Sequence, residues 1–401
     1  MGTVANRFGW YLALLQLFFT LCWTIYVIYL PKLAAVAGIA PRAVIFILML
    51  DQAVFTICDF ATGVAADKVT RVLGRLGKWV AIATALSCAA FLALPFIAGL
   101  GGPVLIAVIM IWAITSSALR APPLMLLGRY SRKPAIPFLS ALAMLGYGIA
   151  GALGPYLTTA LRDTDPRLPF AIASIVLVLT TLGMISAERR LAQAPQPKPT
   201  SPPVRSFGTM TTPAIVFTLG VIVLALGYQL HFAIDSAPLF LRFTKASELQ
   251  WLMPVFWVGF NISMFPATLL TNRLGGYAVM GGAALVGALG IVAAHLAQGL
   301  EQMVVAQFAA GAAWGAILMS AFTVAFAIGE NGGEGRMAGL LFSALAIATL
   351  ARMATIATGF NTDPAFKAVL AWIPTGCWVV AGAALLYLSI VGFQRWAART
   401  S

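Results

Sequence analysis

The stretch Ala187–Phe207, AERRLAQAPQPKPTSPPVRSF, is unlike the sequence on either side of it. It holds Pro195, Pro197, Pro199, Pro202 and Pro203 among several charges and shows no apolar periodicity. Proline fixes φ and removes a backbone donor, so the segment reads as an extended, semi-rigid linker. Outward in both directions the chain turns apolar. Of 401 residues, 61% are hydrophobic and 9% charged, where a soluble domain carries roughly 25% charge. The implied solvent is hydrocarbon. The apolar runs are continuous, without the alternation a transmembrane barrel requires, so helices are expected.

A span needs roughly 20 apolar residues. Twelve such runs fall near 9–30, 43–66, 79–99, 104–127, 135–160, 168–187, 212–235, 249–271, 277–298, 303–328, 337–358 and 367–393. The linker divides them evenly, into a first half over 1–187, a linker over 188–211 and a second half over 212–401. The expectation is an all-α polytopic membrane protein of twelve transmembrane helices in two six-helix halves. Segments on the side of the N-terminus hold sixteen of the 25 Lys and Arg residues and opposite segments seven, with Arg120 and Arg352 inside spans. The positive-inside rule then places both termini in the cytoplasm, of a bacterial inner membrane. The net charge of +13 is a topology signal, and no soluble basic domain is left to bind nucleic acid. The N-terminus shows neither a cleavable signal nor a myristoylation motif.

Span two and the loop after it read DFATGVAADKVTRVLGRLGKW, from Asp59 to Trp79. Gly63, Asp67 and Lys68 match the opening of the major facilitator signature Gly-x-x-x-Asp-Arg-x-Gly-Arg, and Gly74-Arg75 arrive four residues late. This spacing resembles the glycoside–pentoside–hexuronide cation symporters, whose loop runs Asp-Arg-Thr-x-x-Arg-x-Gly-Arg, with Val69 and Val72 as departures. Asp59 falls where that family carries an acidic cation-site residue, although Phe55 stands in place of a second acid one turn earlier. The resemblance implies the major facilitator fold, substrate binding near the midplane between halves, and coupling to a proton or monovalent cation. Thr268–Gly276, TLLTNRLGG, is a weak echo in the second half. Read physically, Asp67 can pair with Arg71, Arg75 or a neighbouring helix N-terminus, and Gly63 permits close helix approach. A latch on the cytoplasmic side would comprise Gly63, Asp67, Arg71, Gly74 and Arg75; the plainer reading is a loop anchored by its positive charge. Span five, with Gly148, Gly151, Gly154 and Pro155, faintly resembles an antiporter motif but carries Leu157 and Thr158 where that motif has glycines.

A charge at bilayer depth costs about 2.5–3.5 kcal/mol on insertion scales and faces a cavity or a partner. Asp51 and Asp59 project within about 80° of each other on span two. In the major facilitator plan spans two and eleven meet, so Arg352 should face span two. Depth favours Asp51 as its partner, because both residues lie on the outer side of their span centres; the family analogy favours Asp59. These three are the coupling and ion-pair candidates, with a purely structural pair as the plainer reading. Arg120 precedes Ala121-Pro122-Pro123, a helix-bending sequence, and could hold an anionic substrate group, neutralise Asp59 or snorkel. Tyr228, Gln229, His231 and Asp235 make span seven unusually polar, with the last two on one helix face. Asn261 on span eight completes the pathway candidates, and His295 lies near an outer span end.

Cys22, Cys58, Cys88 and Cys377 fall in spans without C-x-x-C spacing, so no disulfide or metal framework is suggested. No G-x-S-x-G elbow, His/Cys metal pattern or phosphate loop is present, which argues against an enzyme, a cofactor or an ATP-driven pump. The expected function is a monomeric secondary transporter moving a small organic solute by alternating access, with proton or cation symport favoured. The alternatives are a proton-coupled antiporter, and, in a different class, a non-transporting sensor or a membrane-embedded enzyme.

Overall fold

Without water, a bilayer leaves each backbone amide to find its partner within its own helix, and the chain answers with helix along nearly its whole length. A computed structural model describes residues 2–69, 75–131, 133–193, 212–330 and 332–400. Twelve helices among them are long and apolar enough to cross a membrane. They are α1 (Asn6–Val36), α2 (Pro41–Val69), α3 (Arg75–Leu100), α4 (Gly102–Tyr130), α5 (Lys133–Leu161), α6 (Arg167–Leu191), α7 (Ala214–Phe240), α8 (Ala246–Leu274), α9 (Gly276–Leu296), α10 (Leu300–Ile328), α11 (Glu334–Ala357) and α12 (Pro364–Val391). Most extend past the apolar windows, because a helical ladder need not stop where the hydrocarbon does. The sixth helix itself continues to Gln193, so the expected linker begins later than residue 188; residues 194–211 lie outside the described set, as do Arg71 and Gly74.

Among the first six helices α1 packs on α5 and α3 on α6; among the last six, α10 packs on α8 and α9, and α9 on α12. The two sets meet along two seams, α2 against α11 and α5 against α8. Glycine sets the first. A Cβ at Gly63 would run into the Gly335 carbonyl oxygen, and one at Gly339 into that of Asp59. Small residues allow such backbone approach where helix association draws on packing rather than on water exclusion. The second seam is aromatic: Phe138 meets Phe265, and Tyr147 meets Trp257 and Phe260. The glycines of α5 serve this packing, since Gly148 faces Phe260 and Asn261 and Gly151 faces the Trp257 ring.

Two spans are broken where the site lies. In α4 the turn Ser117–Leu119 is 3₁₀, and Arg120 adopts φ −92°, ψ −83° before the helix restarts at Ala121. Pro122 and Pro123 supply no amide donor to the preceding turn, which accounts for the break. In α7, residues His231–Asp235 form a π-turn between two α-helical pieces.

Candidate functional site

Both ends of the described chain lie on one face of the bundle, here the terminal face. Toward that face α2 and α11 are clamped. Below the crossing at Gly63 and Gly335, the Asp67 carboxylate accepts hydrogen bonds from the backbone N–H groups of Gly335 and Arg336, each 2.8 Å. It thereby caps the start of α11, where unpaired amides and the helix dipole favour an anion. Arg129 of α4 stands 3.6 Å from Asp67 and 3.3 Å from Glu334. Asp67 thus uses a neighbouring helix N-terminus, with Arg129 as a basic partner that the sequence reading had not connected to it. Arg75 instead is exposed at the first residue of α3. Two turns further along α11, Ser343 donates to the Thr56 carbonyl at 2.7 Å.

Away from the terminal face the same two helices diverge around a cavity of about 420 Å³. Its wall comes from α1, α2, α4 and α5 of one half and α7, α10 and α11 of the other. Much of that wall is aromatic, including Trp23, Tyr147, Tyr228, Phe232 and Trp314; Tyr228 stacks on Trp314 with centroids 4.5 Å apart and planes 6° from parallel. Gln16, Gln52, Gln229 and Thr349 add amide and hydroxyl groups, with Gln229 Nε2 donating to Thr349 Oγ1 at 2.9 Å.

The charged groups of this wall are two arginines, Arg120 and Arg352. At the cavity floor, Arg120 lies between the Phe55 and Phe342 rings, its guanidinium carbon 4.8 and 5.0 Å from their centroids. Its Nη1 is 2.8 Å from Asp59 Oδ2, and Asp59 is wholly buried behind it. The α4 break aims Arg120 into this position. Arg352 differs: no described carboxylate lies within ion-pair distance, and its buried Nε has no hydrogen-bond partner.

The expected Asp51–Arg352 pair is therefore corrected. Asp51 is buried inside the first half, where the Tyr26 hydroxyl donates to its Oδ2 at 2.6 Å. Depth had matched the two residues; azimuth separates them, since Asp51 turns toward α1 and Arg352 toward the cavity. Asp59 is taken by Arg120, so it is not the partner of Arg352 either. Tyr228 and Gln229 line the cavity, whereas three other pathway candidates do not. Asn261 sits at the α5–α8 seam, its Nδ2 donating to the Trp257 carbonyl at 2.9 Å. His231 and Asp235 turn away from the cavity toward His295 on α9. Trp314 and Phe342 also prove to be wall; one aromatic among ten tryptophans or 25 phenylalanines carries no signal of which way it faces.

No protein-family model matches the sequence, and no curated protein matches it as a relative. Solved structures do match over nearly the whole chain. A bacterial homologue of the iron transporter ferroportin, in an outward-facing state, superposes with a TM-score of 0.74 at 13% identity, covering 96% of this chain and 99% of that one. The major facilitator superfamily transporter FucP, in an outward conformation, gives 0.69 at 14% identity, covering 95% and 98%. The human organic anion transporter MFSD10 (TETRAN) gives 0.69 at 12% identity, covering 96% and 99%.

Proposed function

From a chain that has the major facilitator fold, we propose a secondary active transporter that carries a small organic anion by alternating access, in symport with a proton. The observation that carries this reading is Arg352, a guanidinium on the cavity wall with no described acid to neutralise it. A buried, unpaired charge is costly, and a substrate carboxylate or related oxyanion would offset that cost through a bidentate, charge-assisted contact. With Asp59 balancing Arg120, the wall carries one uncompensated positive charge, which matches a monoanion. The surrounding rings suit an apolar or aromatic body rather than a bare inorganic ion. A sugar would ask for more hydrogen-bonding groups than these walls present. The likeness of fold to the human organic anion transporter MFSD10 is consistent with this reading.

Coupling follows from Asp59. While ionised it holds Arg120 at the floor. Once protonated it releases the guanidinium, which can then supply a second positive contact to the anion. Proton and anion therefore favour each other's binding, which is the thermodynamic signature of symport; an exchanger would need them to compete. With the terminal face cytoplasmic, the cavity opens outward and the Asp67 clamp is the closed inner gate.

The deciding experiment is uptake into proteoliposomes of a panel of labelled aromatic carboxylates beside neutral sugars and organic cations. Accumulation of an anion, stimulated by an inward proton gradient, is the expected result. Uptake confined to neutral or cationic solutes would sink the reading.

A further inference from the structure

Behind the cavity wall, three metal-ligating side chains converge: His231 and Asp235 on α7 and His295 at the end of α9. One donor atom from each lies within 4.8 Å of the others. His231 is wholly buried, and neither of its ring nitrogens has a hydrogen-bond partner. Asp235 Oδ2 and His295 Nε2 are likewise unpartnered. Gln307, which lies beside His231, exchanges hydrogen bonds with the Ser236 hydroxyl at 3.0 and 3.3 Å. Buried polar atoms are overwhelmingly paired, so four orphaned atoms on three mutually facing side chains define a site.

We propose that His231, Asp235 and His295 bind a divalent transition-metal ion of the zinc class, clamping α7 to α9 beside the cavity. Two imidazoles and one carboxylate are the donors that zinc and its first-row neighbours take, whereas magnesium and calcium want all-oxygen sites. The backbone is shaped for the purpose: the π-turn spans His231–Asp235, and single π-turns recur at functional sites. His295 is oriented from outside by the Trp372 ring, 5.3 Å away. Such an outer contact leaves Nε2 to face the ion. The positive group nearby, Arg242, donates to the His295 and Ala297 carbonyls at 2.9 and 3.2 Å, which fixes the end of α9. Metal–donor bonds of about 2.0–2.1 Å hold three donors closer than their present spread, so binding draws the two helices together. Phe232 and Ala233, between the two α7 ligands, line the cavity. The ion is therefore a resident brace on the cavity wall and not cargo, since α9 contributes nothing to the cavity lining.

The test uses the full-length protein in detergent, stripped with a chelator. Zinc titrated by calorimetry should bind one equivalent and raise the thermal midpoint, and cobalt should give the visible spectrum of a nitrogen/oxygen-ligated site. His295→Gln and Asp235→Asn, at partly exposed positions that folding should tolerate, should each weaken zinc binding roughly tenfold or more. Arg352→Gln should leave zinc binding unchanged, which separates this site from the anion site. Absence of a zinc-dependent shift, a shift reproduced equally by magnesium, or one that survives in both ligand variants would overturn the assignment.

Discussion

At the scale of single residues the protein is governed by four ionisable groups in three different situations. Asp59 and Arg120 neutralise each other at 2.8 Å, Asp51 is held by the Tyr26 hydroxyl, and Arg352 has no described acid. Removing Arg352 should therefore hurt function without hurting the fold. Arg352→Gln is expected to cut anion uptake at least tenfold while the thermal midpoint stays level or rises, because an uncompensated charge is costly to bury. Arg352→Lys should fall between, keeping the charge but losing the planar fork. A large fall in the midpoint for Arg352→Gln would show that the arginine is structural. Asp51→Asn weakens a buried hydrogen bond and should cost about 0.5–1.5 kcal/mol. Combining it with Arg352→Gln should give the sum of the two single effects, since the side chains share no contact. Mutual rescue in that double variant, measured by thermal unfolding, would restore the pair that helix depth alone suggests.

At the scale of elements, the proposed gate is the α2–α11 crossing. Asp67 caps α11, and Gly63, Gly335 and Gly339 let the backbones touch. Asp67→Ala leaves the Gly335 and Arg336 amides without that acceptor. The expected result is a shift of population toward the state open at the terminal face. Ser343→Cys, buried behind this crossing, should then react faster with a water-soluble maleimide in the Asp67→Ala background than in the parent. Equal labelling rates would reduce Asp67 to an anchor for its loop. Gly339→Val places methyl groups against the Asp59 carbonyl and should block closure, so that the protein inserts and binds substrate but does not turn over.

For the whole molecule, the prediction concerns coupling. A monoanion carried with one proton moves no net charge, so uptake should rise as the outside is acidified and should not respond to a potassium diffusion potential. Asp59→Asn should abolish accumulation against a gradient yet leave counterflow exchange measurable. Electrogenic uptake, or concentrative uptake by Asp59→Asn, would overturn the coupling scheme. Orientation is tested separately: reporters placed after Ser401 and within residues 194–206 should both signal from the cytoplasm, as the basic-residue asymmetry requires.

The sequence by itself determined the solvent, the number of spans and the places where charge would be expensive. These follow from composition and from periodicity along one chain, which is a one-dimensional signal. It also marked Gly63 and Asp67 as a contact point, because a glycine and an acid at a helix end each restrict what can lie opposite. Which charge meets which was decided only by the tertiary structure. Asp51 and Arg352 share a depth, but partnership depends on the rotation of each helix about its axis, and that is set by packing against several neighbours at once. The same cause moved Asn261 to a seam, made Arg129 a partner of Asp67, and brought His295 to His231 and Asp235 from a different helix. Helix depth is a property of a segment, whereas azimuth is a property of the assembled bundle.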